Sequence, residues 1–174
     1  MNAFASSRDV AGWRGSRAGA ILGLLVMLGA LGAVRVVNAL RADNIARDGC
    51  IYLRMAKDFG ERPPIEVLRA YDYHPGYSAV VGWVARSLGA TWPEGWITVG
   101  RGVSIFFSLA GLAGVFIMAL RTYGRQVAWL TVLLMGLASA YVELSSDVLS
   151  DPQAAALGIL ADLRMPEPEE LGPS

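Results

Sequence analysis

The chain has 174 residues, of which 54% are hydrophobic and 17% are charged, and its basic and acidic residues balance at a net charge of zero. Soluble domains carry roughly 25% charged residues, so this composition is typical of an integral membrane protein. The absence of net positive charge gives no support to a nucleic-acid partner. A single cysteine and a single histidine exclude an internal disulfide bond and a multi-histidine metal site.

The first apolar segment covers residues 18–40 and follows a polar N-terminal tail over residues 1–17. A bilayer core of about 30 Å requires roughly 20 helical residues, so this segment predicts a first transmembrane helix. A cleaved signal peptide is the alternative, because arginines precede the segment. The apolar run is too long for such a peptide, and no clear small-residue cleavage site is present. We therefore expect an uncleaved helix.

Residues 41–96 form a charged, proline-containing loop that we expect to lie outside the cytoplasm. A helix over residues 49–59 of this loop would be amphipathic, and we expect it to lie on the membrane surface with its apolar face toward lipid. Its apolar stripe would consist of Ile51, Met55 and Phe59. Residues 75–89 are too short an apolar run to cross a bilayer, so they predict an interfacial or buried helix.

The second half of the chain contains three further apolar segments. We predict a second span over residues 97–120 and a third, slightly short span over residues 127–142. A partial fourth span is predicted over residues 152–163. The tail over residues 164–174 is acidic and proline-rich and should be disordered.

These segments predict an all-α fold, a polytopic membrane helix bundle over residues 18–163. It would have three clear transmembrane helices, a partial fourth, and amphipathic juxtamembrane helices in the first outer loop. The turn after the second span contains Arg121 and Arg125 and no acid, which indicates a cytoplasmic turn. The N-terminus would then be cytoplasmic too, because two spans separate it from that turn.

Asp48 opens the predicted loop helix and is the first candidate for chemistry. As an N-cap, its carboxylate would accept hydrogen bonds from the first helical turn. As an exposed carboxylate at the membrane boundary, it could act as a general base. The two interpretations are compatible, because a capping carboxylate can still accept a proton.

Asp147 and Asp151 form a second acidic group on the same predicted side of the membrane. Four residues apart, they would share one helix face. Asp151 followed by Pro152 is also typical of a helix start with Asp151 as N-cap. Together with Asp48, these two carboxylates are the candidate metal ligands, with a divalent cation as the candidate cofactor and a cationic donor as the alternative ligand.

Three further side chains are candidates for substrate binding. His74 could bind a phosphate or a sugar hydroxyl or shuttle a proton, or it could only order its loop. Arg35 and Arg101 lie near the outer ends of their predicted spans, where extension of the guanidinium toward water is the ordinary role. The functional alternative for both arginines is an anionic lipid phosphate bound from a cavity of the bundle.

The segments "ARDGCIYLRMAKDF" and "HPGYS", followed by residues 100–152, resemble the N-terminal part of GT-C-fold membrane glycosyltransferases in their order and spacing. The similarity is to the bacterial branch related to the aminoarabinose and protein-mannosyl transferases. The matching positions are Asp48, Tyr52, His74–Pro75, Tyr123–Gly124, Asp147 and Asp151.

The resemblance implies transfer of a hexose or pentose from a polyprenyl-phosphate donor to an acceptor at the outer face of a bacterial plasma membrane. Asp48 would be the catalytic base. The implied substrate-binding residues are Tyr52, His74, Arg35, Arg101, Asp147 and Asp151. Family members contain many more spans, so we expect this chain to be truncated, and a partner chain could supply the missing helices.

Two other classes of protein compete with this interpretation. The chain could be a small, non-catalytic integral membrane protein that acts as an interaction or assembly element. It could also be a transporter fragment, which would place polar or acidic residues near the middle of the spans. The acids instead cluster near one predicted membrane face, which favours chemistry on a lipid-linked substrate.

Overall fold

The computed structural model describes residues 17–42 and 45–163, and every regular element in these two ranges is an α-helix. The helices are α1 (Arg17–Arg41), α2 (Arg47–Glu61), α3 (Pro64–Ala70), α4 (Pro75–Ser87), α5 (Glu94–Tyr123), α6 (Arg125–Leu137), α7 (Ser139–Ser146) and α8 (Asp151–Asp162). The predicted all-α class is confirmed. The tail predicted to be disordered, residues 164–174, and residues 1–16 of the N-terminal tail lie outside the described residues.

Two helices are long and apolar enough to cross a membrane, α1 from Gly19 to Arg41 and α5 along its whole length. The predicted third span is divided between α6 and α7, which meet at Ala138 with a bend of 63°. Ala138 leaves the helical region of backbone space with a ψ of 122°, and its N–H bonds back to Leu134 and Met135. The chain therefore has two candidate spans, or three if the bent pair is one span, and three clear spans are not confirmed.

The long helices pack in alternating directions around α5. Arg101 of α5 contacts Ala39 of α1, whereas Ser108, further along α5, contacts the earlier residue Arg35, so the two helices are antiparallel. Gly124, with a left-handed φ of 86°, ends α5 and reverses the chain into α6. A residue without a side chain suits this turn, since other residues rarely adopt such a φ.

Two hydrophobic cores lie at successive levels along α5. The bundle core joins α1, α5 and α6 and consists of Leu31, Leu112, Phe116, Ala119, Ala128 and Val132. The cap core joins α2, α4, the first part of α5 and the segment after α7; its members include Tyr52, Leu53, Ala56, Tyr77, Val81, Trp96 and Val148. A helix of 30 residues is about 45 Å long, roughly 15 Å more than a bilayer core, which leaves length for a cap beyond one end of the spans.

The predicted lipid-facing orientation of α2 is wrong, because protein covers its apolar face. The helix begins at Arg47, two residues before the predicted start, and extends to Glu61. Its buried face is centred on Tyr52, Met55 and Ala56 and packs chiefly against α4. Burial against a neighbouring helix removes apolar area from solvent as lipid would, and periodicity alone does not distinguish the two partners.

The contact between α2 and α4 depends on a glycine, and this gives a testable prediction. A Cβ on Gly82 would lie 2.6 Å from the carbonyl oxygen of Ala56, a backbone atom that cannot move aside independently. We expect Gly82→Ala to lower the free energy of unfolding by about 1–3 kcal/mol through overpacking. Gly102→Ala is the matched control, because nothing lies within 4 Å of that Cβ, and the alanine should stabilise its helix by roughly 0.5–1 kcal/mol.

Thermal unfolding in detergent, followed by tryptophan fluorescence, checks both glycine variants. The midpoint should fall for Gly82→Ala and rise slightly for Gly102→Ala. Equal shifts in the two variants would contradict the tight packing of α2 on α4.

Candidate functional site

The first turns of α2, α4 and α8 converge beside the cap core, and we call this place the helix-start junction. The Tyr52 hydroxyl lies 2.7 Å from the Ser150 hydroxyl, which connects α2 to the residue before α8. Gly76 in the first turn of α4 faces Gln153 in the first turn of α8. None of the three helices has a side-chain N-cap hydrogen bond. Their first-turn N–H groups therefore give the junction partial positive charge.

Asp48 lies in this junction with its carboxylate exposed to solvent. It is the second residue of α2, and Ala46 is the N-cap residue, so the N-cap interpretation of Asp48 is wrong. The Tyr73 hydroxyl donates a hydrogen bond of 3.3 Å to Asp48 Oδ1. An exposed carboxylate with one positioned donor remains available to accept a proton from a substrate.

Tyr73 is itself held in its neutral, donating form. Partial burial, together with the negative charge of Asp48, raises the pKa of the Tyr73 phenol above its ordinary value of 10.0. The phenol therefore stays protonated at neutral pH and can donate to the carboxylate.

Asp147 anchors the junction through its backbone contacts. Its Oδ2 accepts the N–H of Ala46 at 2.8 Å, and its Oδ1 accepts the N–H of Val148 at 2.7 Å. This carboxylate thus joins the start of α2 to the segment after α7, across 101 residues of sequence. Both oxygens already have partners, so the side chain positions the site.

Asp151 does not share a helix face with Asp147, contrary to one of the two interpretations of their spacing. Asp147 is the C-cap residue of α7, whereas Asp151 is the first residue of α8. The predicted helix start is present, but the N-cap residue is Ser150 and not Asp151. Asp151 is exposed, where its charge is favourable near the N-terminus of a helix.

No group of three or more His, Cys, Asp or Glu side chains that could hold a metal ion occurs in the described ranges. The carboxylates of Asp48, Asp147 and Asp151 therefore do not form a ready cation site in the part of the chain that the structure describes. The divalent cation stays a hypothesis.

Three tyrosine rings pack against one another beside the helix-start junction. The Tyr52 ring contacts the rings of Tyr73 and Tyr77 edge to face, each at 5.4 Å between centroids. The Tyr77 hydroxyl donates to the Gly100 carbonyl at 2.9 Å and lies 2.9 Å from the Ser104 hydroxyl. Burial raises the pKa of Tyr77 well above its ordinary range, so this phenol serves as a neutral structural group.

The contacts of Tyr73 and Tyr77 with the candidate site were not predicted from the sequence. Their spacing of four residues could have indicated that both side chains lie on the same side of the chain. Nothing in the sequence identifies Ser104 as the distant partner of Tyr77, or Ser150 as that of Tyr52.

His74 is the N-cap residue of α4 and is exposed, immediately before Pro75. Its position next to Tyr73 brings it to the same junction as Asp48. The predicted helix start at Pro75 is confirmed. The structure therefore gathers five predicted site residues at one place: Asp48, Tyr52, His74, Asp147 and Asp151.

The two arginines lie apart from this junction, and Arg35 does not extend toward water as expected of its ordinary role. Arg35 is fully buried; its Nε donates to Ser108 Oγ and its Nη1 to the Leu31 carbonyl, both at 3.0 Å. Its guanidinium carbon lies 5.3 Å from the centroid of the Tyr141 ring. A lipid phosphate cannot reach a side chain enclosed in this way.

Arg101 is half-buried and binds the C-terminal end of α1. Its two terminal nitrogens donate to the carbonyls of Ala39 and Ala42 at 2.8 Å and 3.0 Å. The last carbonyls of a helix have no partner within that helix, and Arg101 supplies one. The side chain therefore holds α1 against α5 at the level where the first span ends.

Compared with known proteins, the chain matches no family model, no curated protein sequence and no solved structure. Its own features define the class: an all-helical chain whose two apolar helices indicate a membrane protein, with a helical cap at one end.

Proposed function

We propose that this protein is a glycosyltransferase that moves a hexose or pentose from a polyprenyl-phosphate donor to an acceptor at one face of the membrane. The observation that carries the proposal is the exposed Asp48 carboxylate at the helix-start junction, hydrogen-bonded by Tyr73. Asp48 would accept the proton of the acceptor nucleophile as it attacks the sugar, while the donor phosphate leaves. General-base help of this kind contributes about 10²–10⁴-fold to a rate.

The position of Asp48 relative to the end of the first candidate span supports a lipid-linked substrate. The candidate first span ends at Arg41, and Arg101 ties that end to α5. Asp48 follows only seven residues later, at the start of the cap. A carboxylate just beyond the end of a span is at the level of lipid head groups, where the bond between the donor phosphate and its sugar would lie.

Arg41, which was not among the arginines predicted from the sequence, is suited to bind the donor phosphate. A groove of about 390 Å³ lies between α1 and α7, lined by Ala33, Val34, Val37, Asn38, Arg41 and Val142. Its walls are mostly apolar, while Arg41 is exposed at the end of α1. We assign the prenyl chain to these walls and the phosphate to Arg41, since Arg35 is enclosed.

The proposal includes a bacterial plasma membrane and a cytoplasmic N-terminus. Arg121 and Arg125 are both exposed at the α5–α6 turn, at the end of α5 opposite the cap. A basic turn favours the cytoplasmic side, and on this basis we propose that the cap lies on the outer side.

Donor turnover by the wild-type chain tests the proposal. Bacterial membranes containing the full chain would be incubated with undecaprenyl phosphate carrying a radiolabelled hexose or pentose, and membranes without the chain are the control. We expect label to leave the donor lipid faster when the chain is present. Equal donor consumption in both membranes, for every sugar tried, would overturn the proposed function.

A non-catalytic interaction or assembly element is the second candidate, and an apolar groove between α1 and α5 favours it. This groove has a volume of about 520 Å³, and its lining includes Gly29, Gly32, Ala110 and Ala113. Small residues allow close approach of a further transmembrane helix, such as one from a partner chain. Absence of turnover, together with photo-crosslinks from Leu25 in this groove to a second polypeptide, would favour this role.

A further inference from the structure

Gln153 at the helix-start junction is a mostly buried residue whose amide has unused hydrogen-bonding capacity. The residue is only 8% exposed. Its Nε2 points across to the first turn of α4 and lies 3.7 Å from where a Cβ on Gly76 would be. Within residues 17–42 and 45–163, the amide has no hydrogen-bond partner. The amide is not sealed from solvent, so a ligand that enters the junction can satisfy this unused hydrogen-bonding capacity.

The charges of the junction indicate a neutral ligand. The three helix starts together supply roughly one and a half positive charges, since each N-terminus is equivalent to about half a charge. Arg47 adds one positive charge, and Asp48, Asp147 and Asp151 are the three carboxylates at these helix starts. These contributions nearly cancel, so neither a phosphate nor a cation would gain much from the local field.

We propose that Gln153 and the first turn of α4 form a subsite for the neutral ring of a sugar, placed beside Asp48. This inference rests on the proposed function and deepens it by assigning residues to the sugar. Hydroxyl groups both donate and accept hydrogen bonds, which matches an amide that carries two donors and one acceptor oxygen. The exposed carboxylates of Asp48 and Asp151 supply further acceptors at the rim.

Different residues would bind the sugar and the lipid part of the donor. Arg41 and the α1–α7 groove would hold the phosphate and the prenyl chain, whereas Gln153 lies on α8 and faces α4. Loss of Gln153 should therefore weaken recognition of the sugar without changing the affinity for the lipid phosphate alone.

Binding of two lipids by the full chain in detergent tests this subsite. The probes are undecaprenyl phosphate and the same lipid carrying one glucose, mannose or galactose, and native mass spectrometry measures their relative affinities. We expect the wild type to prefer at least one of the sugar-bearing lipids. Gln153→Leu should reduce that preference by roughly tenfold, the effect of losing one or two hydrogen bonds, with unchanged binding of the bare lipid.

Two further variants make the test decisive. Gln126→Leu is the matched control, because Gln126 is exposed on α6, and it should leave the preference intact. Gln153→Asn keeps the amide on a shorter stem and should retain part of the preference even if Gln153→Leu folds poorly.

The outcomes separate this inference from the proposed function. A wild-type preference that survives in both Gln153 variants would overturn the subsite and leave the glycosyltransferase proposal standing. A wild-type chain that binds the bare and all the sugar-bearing lipids equally would overturn the subsite and count against the donor as well.

Discussion

Asp48→Asn should reduce the proposed sugar transfer by about 10²–10⁴-fold while leaving the fold intact. Asparagine has nearly the same shape as aspartate, and its side-chain oxygen can still accept the hydrogen bond from Tyr73. It cannot accept a proton at neutral pH, so only the general-base step is removed. The carboxylate is exposed and caps no helix, which is why we expect little effect on stability.

Asp72→Asn is the control for this substitution. Asp72 is an exposed carboxylate in the segment before α4, two residues from His74. The change of charge is the same as in Asp48→Asn, but no role at the junction is assigned to it. Initial rates of donor consumption, together with thermal midpoints, should show loss of activity in Asp48→Asn alone. Full activity of Asp48→Asn in a chain that turns over donor would exclude Asp48 as the base.

Arg35→Met should raise the thermal midpoint of the protein. A buried guanidinium has lost its hydration, at a cost of several kcal/mol, and a carboxylate partner is not found for it among the described residues. Its bonds to Ser108 and Leu31 offset part of that cost, but its Nη2 has no partner. Replacement of buried charged groups by apolar side chains of similar volume often stabilises a protein by about 1–4 kcal/mol.

Arg35→Ala distinguishes the volume of this side chain from its charge. Alanine removes the charge as methionine does, but it leaves a cavity between α1, α5 and α7. Large-to-small changes in cores cost about 2–5 kcal/mol, so the midpoint should fall. Thermal unfolding of both variants in the same detergent measures the contrast. A large loss in Arg35→Met as well would show that the positive charge itself is paired in the folded protein.

Sequence patterns succeeded where a property depends on neighbours along the chain. The helix starts at Pro75 and Asp151 follow from proline chemistry, and the two candidate spans follow from apolar length. Patterns failed where two burial partners are chemically equivalent. The apolar face of α2 could have met lipid or protein, and only its packing on α4 decided between them.

The site shows the same division. Asp48 was recognisable as a carboxylate near the end of a span, because charge and distance from an apolar run can be counted along the chain. The residues around it in space could not be predicted in this way, because they are distant in the sequence. Asp147 contacts the start of α2 across 101 residues, and Ser150 contacts Tyr52 across 98. The enclosure of Arg35 is of the same kind, since an arginine near a helix end can equally extend to water.

The sequence by itself determined that this is an all-helical chain with at least two apolar helices long enough to cross a membrane and with acids grouped near one end. These properties arise from local composition and period, which operate within one helix. The tertiary structure decided that α2, α4 and α8 begin at one place, that Arg35 is enclosed and that Gln153 is buried without a partner. Each of these depends on which helices pack together, and packing is a property of the whole fold.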